Sequence, residues 1–213
     1  MSISNDTSDF VLLTDVIPEV ILEIRYYSTF NFIGERINGY EEPVAIITKE
    51  AAAQLKKVNE IFMSEGYRIK VFDAFRPTRA VEHFVKWAEN KDDLRMKEYF
   101  YPDVDKQDLF EIGYICKQSS HSRGSTVDMT LFDMKKGREV NMGTPFDYFG
   151  KRSHADFTKH LSESEIEHRT FLTDTMKNNG FVMINEEWWH FTLENEPFPD
   201  TYFDFAVNSR INQ

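Results

Sequence analysis

The pattern of apolar and polar positions divides this chain into helices and strands without a regular βαβ repeat. VAII at 44–47 reads as a short strand, and Thr48 stands where a following helix would be capped. In 49–64, KEAAAQLKKVNEIFMS, the residues Ala52, Leu55, Val58 and Phe62 recur every three or four positions. That spacing predicts an amphipathic helix ended by Gly66. YRIKVFDAF then predicts a strand with Ile69, Val71 and Asp73 on one face, and Pro77 suits the first turn of a helix continued by TRAVEHFVKWAEN. STVDMTLF at 125–132 alternates, with Val127, Met129 and Leu131 on one side and Thr126, Asp128 and Thr130 on the other.

Ser162 and Glu165 predict a capping box opening a second long helix, which runs to about Asn178 and stops at Gly180. FVMI and WWHFTL read as two strands paired as a hairpin around NEE. The charged, aromatic-studded stretch at 90–113 has no clean period and reads as loop. Strands and helices mixed in this way predict an α+β fold, with a mainly antiparallel sheet flanked by helices.

Composition changes the picture only in part. A chain of 213 residues, 41% hydrophobic and 15% aromatic, can fill a single domain over 1–213. The net charge of −11 argues against nucleic acid, whose phosphates demand a basic face. Cys116 is the only cysteine, which excludes an intrachain disulfide and a cysteine-rich zinc site. The N-terminal stretch lacks a cationic start, and its apolar runs are cut by Asp15, Pro18 and Glu19. It therefore reads as neither signal peptide nor membrane span, and a cytoplasmic location is expected. Nothing in the sequence sets an oligomeric state.

The candidate chemistry starts in SSHSRGSTVDMT, where His121 and Asp128 stand seven residues apart around Gly124. An imidazole and a carboxylate are costly to bury unpaired, so the two form either a local hydrogen bond or part of a ligand set that needs a third member. His190 in NEEWWHFTL is the best remaining ligand, with Glu187 three residues before it. On a regular strand those two would point to opposite faces, so they share a site only if a turn or bulge lies between them. Two imidazoles and one carboxylate, with a fourth position open, is the arrangement of catalytic zinc, and a carboxylate nearby that is not a ligand would serve as general base. Arg76 follows an apolar strand at a strand-to-helix corner, where a guanidinium can clamp an oxyanion or can simply pair with Asp73. Spacing alone leaves the structural and catalytic readings open for all of these residues.

FDAFRPTRA, SSHSRGSTVDMTL, MGTPFDYF and NEEWWHFTL occur in the order and approximate spacing of the zinc D-alanyl-D-alanine dipeptidases, including the vancomycin-resistance type. RYYSTFNFIG and EPFPDTYFDF extend the resemblance over nearly the whole chain. It implies a small α+β fold with zinc in a cleft on an antiparallel sheet. His121, Asp128 and His190 would hold one zinc ion per chain, Glu187 would be the base, and Arg76 would stabilise the transition state. Ser119 and Tyr114 match positions lining the substrate pocket, and Tyr26 and Asp147 match positions that meet the substrate's ammonium end. The implied reaction is hydrolysis of the small dipeptide D-alanyl-D-alanine to two D-alanines. Phe75 stands where the family usually has tyrosine and Ala74 where glycine is common, departures that bear on substrate preference. The rivals are a zinc D,D-carboxypeptidase or endopeptidase acting on cell-wall peptides, a non-catalytic zinc-binding module of the same fold, and a metal-free binding domain.

Overall fold

The computed structural model describes residues 2–211. In chain order the strands are β1 (Ser2–Ser4), β2 (Phe10–Leu12), β3 (Ile21–Leu22), β4 (Ile46–Thr48), β5 (Tyr67–Asp73), β6 (Thr126–Asp133), β7 (Arg138–Glu139), β8 (Phe181–Met183), β9 (His190–Leu193) and β10 (Thr201–Phe203). The helices are α1 (Leu13–Val16), α2 (Lys49–Ser64), α3 (Thr78–Glu89), α4 (Lys97–Phe100), α5 (Leu109–Ile112) and α6 (Glu163–Asn178). The main sheet runs β3-β5-β6-β9-β8, with β7 paired to β6. Only β3 and β5 are parallel within it, so the architecture is α+β with a mainly antiparallel sheet. Two small pairs, β1 with β10 and β2 with β4, lie outside that sheet.

The helix α2 forms where its apolar positions recur. Ala52, Leu55, Val58 and Phe62 are buried while Lys56, Lys57 and Glu60 face solvent. It lies against β5, α6 lies against β8, and the two helices touch each other. On β6 both faces are buried, as a central strand requires. Val127, Met129 and Leu131 join the apolar core, each contributing roughly 1.5–3 kcal/mol by burial. The opposite face carries Thr126, Asp128 and Thr130, also buried. α6 opens with the expected capping box between Ser162 and Glu165.

Several local expectations are corrected. The strand expected at 44–47 spans Ile46–Thr48. Thr48 does stand at the start of α2, yet its hydroxyl lies 2.7 Å from Ser125 Oγ instead of capping the helix. Pro77 precedes α3 rather than entering it, and keeps the extended conformation. The expected hairpin forms, with β8 antiparallel to β9, but of WWHFTL only His190–Leu193 is strand; Trp188 and Trp189 belong to the turn before it. The stretch at 90–113 contains α4, α5 and a 3-10 turn at Lys106–Asp108.

The correction with most consequence concerns β5. Ile69 and Val71 pair with Leu131 and Met129 on the core face, but the next pair is Asp73 with Asp128. Phe72 is therefore the extra residue of a β-bulge, and the bulge turns Asp73 onto the Asp128 face rather than the face of Ile69 and Val71.

Candidate metal centre and substrate cleft

Asp73, Asp128 and His190 form a row across the sheet, as direct cross-strand partners on β5, β6 and β9. Their side chains therefore leave the same face. His121 reaches this row from the 3-10 turn Ser120–Arg123, just ahead of β6. Ser119 caps the turn, its Oγ accepting from the His121 N–H at 3.3 Å. Gly124 closes it at a φ of 88°, where a Cβ would stand 2.3 Å from the Phe10 ring, so only glycine permits this approach.

His121 Nδ1 donates to the Ala74 carbonyl at 2.7 Å. A carbonyl only accepts, so the ring proton sits on Nδ1 and Nε2 presents a lone pair. That Nε2 lies 3.2 Å from Asp128 Oδ2 and 3.2 Å from His190 Nδ1, which is itself 3.1 Å from Asp128 Oδ1. Three buried lone-pair groups facing one another are uncompensated unless a proton or a cation lies among them. Ligands at zinc's usual bond lengths, arranged tetrahedrally, stand roughly 3.2–3.6 Å apart, so this donor set fits the ion. His190 Nε2 lies 3.2 Å from Ser120 Oγ, the kind of outer contact that orients a ligating imidazole. Burial alone would raise Asp128, yet His121 and His190 hold its carboxyl well below the usual range.

Glu187 is brought alongside by a turn. The His190 N–H donates to the Glu187 carbonyl at 3.3 Å, and this places Glu187 Oε2 3.6 Å from His190 Nδ1. Burial pushes the Glu187 carboxyl up to about 7. Arg76 lies between the rings of Tyr26 and Phe84, 4.9 and 5.1 Å from their centroids. Its Nε donates to Asp73 Oδ2 at 2.9 Å and its Nη2 to Asp128 Oδ2 at 3.4 Å. The salt bridge to Asp73 and a place at the cleft are thus compatible, since Asp73 holds the guanidinium by one edge.

At the far end Asp147 is buried with a φ of 60°, and its Oδ2 accepts from Tyr26 OH at 3.0 Å. Burial, then the charges of Asp128 and Glu187, pushes this carboxyl well above its ordinary value. Tyr114 stacks on Phe149 with centroids 4.9 Å apart, its OH 3.4 Å from His154 Nε2. All nine residues expected from the sequence border one cavity of about 220 Å³. A larger groove of about 690 Å³ between α6 and β8 includes none of them.

Three contributors were not singled out from sequence. Tyr40 OH donates to Asp73 Oδ1 at 2.6 Å, Ser120 contacts His190, and Asp73 appeared as a strand position and a partner for Arg76 but not as a site residue. Their one signal is adjacency to residues already chosen. Of the other histidines, His83 pairs with Glu35 at 3.0 Å and His168 Nδ1 lies 3.0 Å from the Asn141 carbonyl, both away from the cleft.

A family model described as D-ala-D-ala dipeptidase matches residues 6–208. The D-alanyl-D-alanine dipeptidase of Enterococcus faecium is 37% identical, over 93% of this chain and 98% of that one. That of Streptomyces coelicolor is 34% identical, over 94% and 99%. Among solved structures the LD-carboxypeptidase LdcB aligns with a TM-score of 0.45 and 18% identity, covering 91% of this chain and 72% of that chain.

Proposed function

Because the chain belongs to the D-ala-D-ala dipeptidase family, we propose that it hydrolyses D-alanyl-D-alanine, with one zinc ion held by His121, Asp128 and His190. The observation that carries this reading is the meeting of three lone-pair donors at 3.1–3.2 Å, with a part-buried carboxylate beside them, in a cavity of about 220 Å³. When bound, zinc supplies Lewis acidity, acidifying a water and polarising the scissile carbonyl.

The chain's own groups do the rest. Glu187, held near neutrality in its affinity for protons, takes the proton from the attacking water and returns it to the leaving amine. Asp73 fixes Arg76 through Nε, so that the free edge of the guanidinium can donate to the developing oxyanion. Tyr26 and Asp147 receive the substrate's ammonium group. Ser119 and Tyr114 line the remaining wall. The buried Asp147 favours a dipeptidase over a cell-wall carboxypeptidase, because a longer peptide would bring an uncharged amide to that carboxylate.

Zinc content and D-alanyl-D-alanine hydrolysis, measured on the same purified sample, test the proposal. About one zinc per chain with turnover is the expected result. Zinc without turnover would leave the non-catalytic module, and neither would leave a metal-free domain.

A further inference from the structure

α6 contributes no residue to the wall of the cleft, yet it grips the segment that carries Asp147. Arg169 is 4% exposed, and its guanidinium donates to three main-chain carbonyls. Nε reaches Met142 at 2.5 Å, Nη1 reaches His154 at 3.0 Å and Nη2 reaches Arg152 at 2.9 Å. One side chain therefore ties both ends of the loop 142–154 together. The loop's start is held again by Asn141, whose side chain donates to Glu165 Oε1 at 2.7 Å.

The same loop clasps the chain beside the base. Trp188 Nε1 donates to Thr144 Oγ1 at 2.8 Å, and the Trp188 N–H donates to the Ser153 carbonyl at 3.0 Å. Trp188 directly follows Glu187. Asp147 itself sits at a φ of 60°, uncommon outside glycine and kept only where the surroundings determine it.

We infer that Arg169 is a positioning residue: by closing the loop 142–154 it sets the reach between Asp147 and Glu187, and so restricts the cleft to dipeptides with a free ammonium group. The inference rests on the activity proposed above. A guanidinium suits the task because its fixed fork holds three carbonyls at once, whereas an ammonium has no such planar geometry. The metal ligands come from β6, β9 and the turn before β6, so the clamp and the metal centre are separable.

The test compares the wild type with Arg169→Lys and Arg169→Gln in the zinc-loaded protein. It reads zinc content, kcat and KM on D-alanyl-D-alanine and its N-acetyl derivative, and hydrogen exchange by segment. Arg169→Gln is expected to raise KM about 10-fold or more, the scale of one lost charge-assisted hydrogen bond. Preference for the free dipeptide should narrow by a similar factor, exchange should quicken in 142–154 and around Trp188, and zinc should be unchanged. Arg169→Lys should recover part of the loss. Thr144→Val, which removes the acceptor for Trp188 without touching Arg169, should lower kcat more than it raises KM, and keeps the test open if Arg169→Gln does not fold. Unchanged KM and preference in folded Arg169→Gln would overturn the inference, and so would loss of zinc in step with activity. A wild type without hydrolysis would instead overturn the proposed activity. Exchange in 142–154 would then decide the clamp, with wild-type protection in Arg169→Gln refuting it.

Discussion

Asp147→Asn is the substitution that most directly probes ammonium recognition. The change removes the charge that Asp147 takes on when an ammonium group lies against it, and almost nothing else. The asparagine carbonyl can still accept the Tyr26 hydroxyl, now at 3.0 Å, and asparagine tolerates the φ of 60° as well as aspartate does. Asp147→Ala would be a poorer probe, since it adds the cost of a left-handed backbone to the lost charge. Breaking one partner of a buried, hydrogen-bonded charge pair costs about 2–5 kcal/mol. At about 1.4 kcal/mol per factor of ten, that is roughly a 30-fold to several-thousand-fold loss in kcat/KM. The loss should fall mainly on KM, because the ammonium is held equally in the ground and transition states.

The assay is release of D-alanine from the free dipeptide and from N-acetyl-D-alanyl-D-alanine, with zinc measured on the same samples. In the wild type the acetylated substrate should be cleaved at least about 100-fold more slowly, since it leaves Asp147 without a cation. In Asp147→Asn that ratio should collapse toward one, because both substrates then meet a neutral wall. Equal kcat/KM for Asp147→Asn and wild type on the free dipeptide would refute the reasoning. Comparable rates on both substrates in the wild type would mean an open site, and carboxypeptidase would become the better reading.

His121→Ala and His190→Ala should each lose most of the zinc by metal analysis, whereas His83→Ala, which removes a side chain paired with Glu35 and the Asn38 N–H, should keep it. Full zinc in His190→Ala would remove β9 from the metal centre. Glu187→Ala should retain metal and fold while turnover drops by roughly 10²–10⁴, the worth of a positioned general base; near-normal turnover would make Glu187 structural. Arg76→Ala should cost on the order of 10²–10³ in kcat, and disappearance of zinc with it would mark the arginine as scaffold. Gly124→Ala should destabilise by roughly 2–5 kcal/mol, from a left-handed alanine and a Cβ driven into Phe10, and a Tm equal to wild type would show that the ring moves aside freely.

What could be read from sequence follows the range over which each interaction acts. His121, Gly124 and Asp128 sit within one short segment, so a single turn and the pleat of β6 bring them to their places. The turn required between Glu187 and His190 is equally local, one hydrogen bond across three residues. The bulge at Phe72 leaves only a faint local mark, the break in the alternation of YRIKV at Phe72 and Asp73, and the extra residue is defined only against β6. Thr48 follows the same rule in reverse: its capping position is local, but Ser125, 77 residues away, offers the hydroxyl a partner that the helix end does not displace.

Arg169 lies between these cases. On α6 it stands three residues before Leu172 and seven before Met176, on the stripe the helix buries. An arginine on a buried stripe announces that acceptors must be delivered to it, since a guanidinium keeps its charge at neutral pH and pays heavily for burial without partners. Periodicity can therefore predict that the guanidinium is satisfied. Which carbonyls satisfy it depends on the path of 142–154 over the helix, a tertiary fact with no counterpart in the sequence of α6. The consequence for function runs the same way: the residues proposed for the chemistry can be singled out as candidates by their own type and order along the chain, whereas the residue proposed to set distances between them acts on main-chain carbonyls, which carry no side-chain mark.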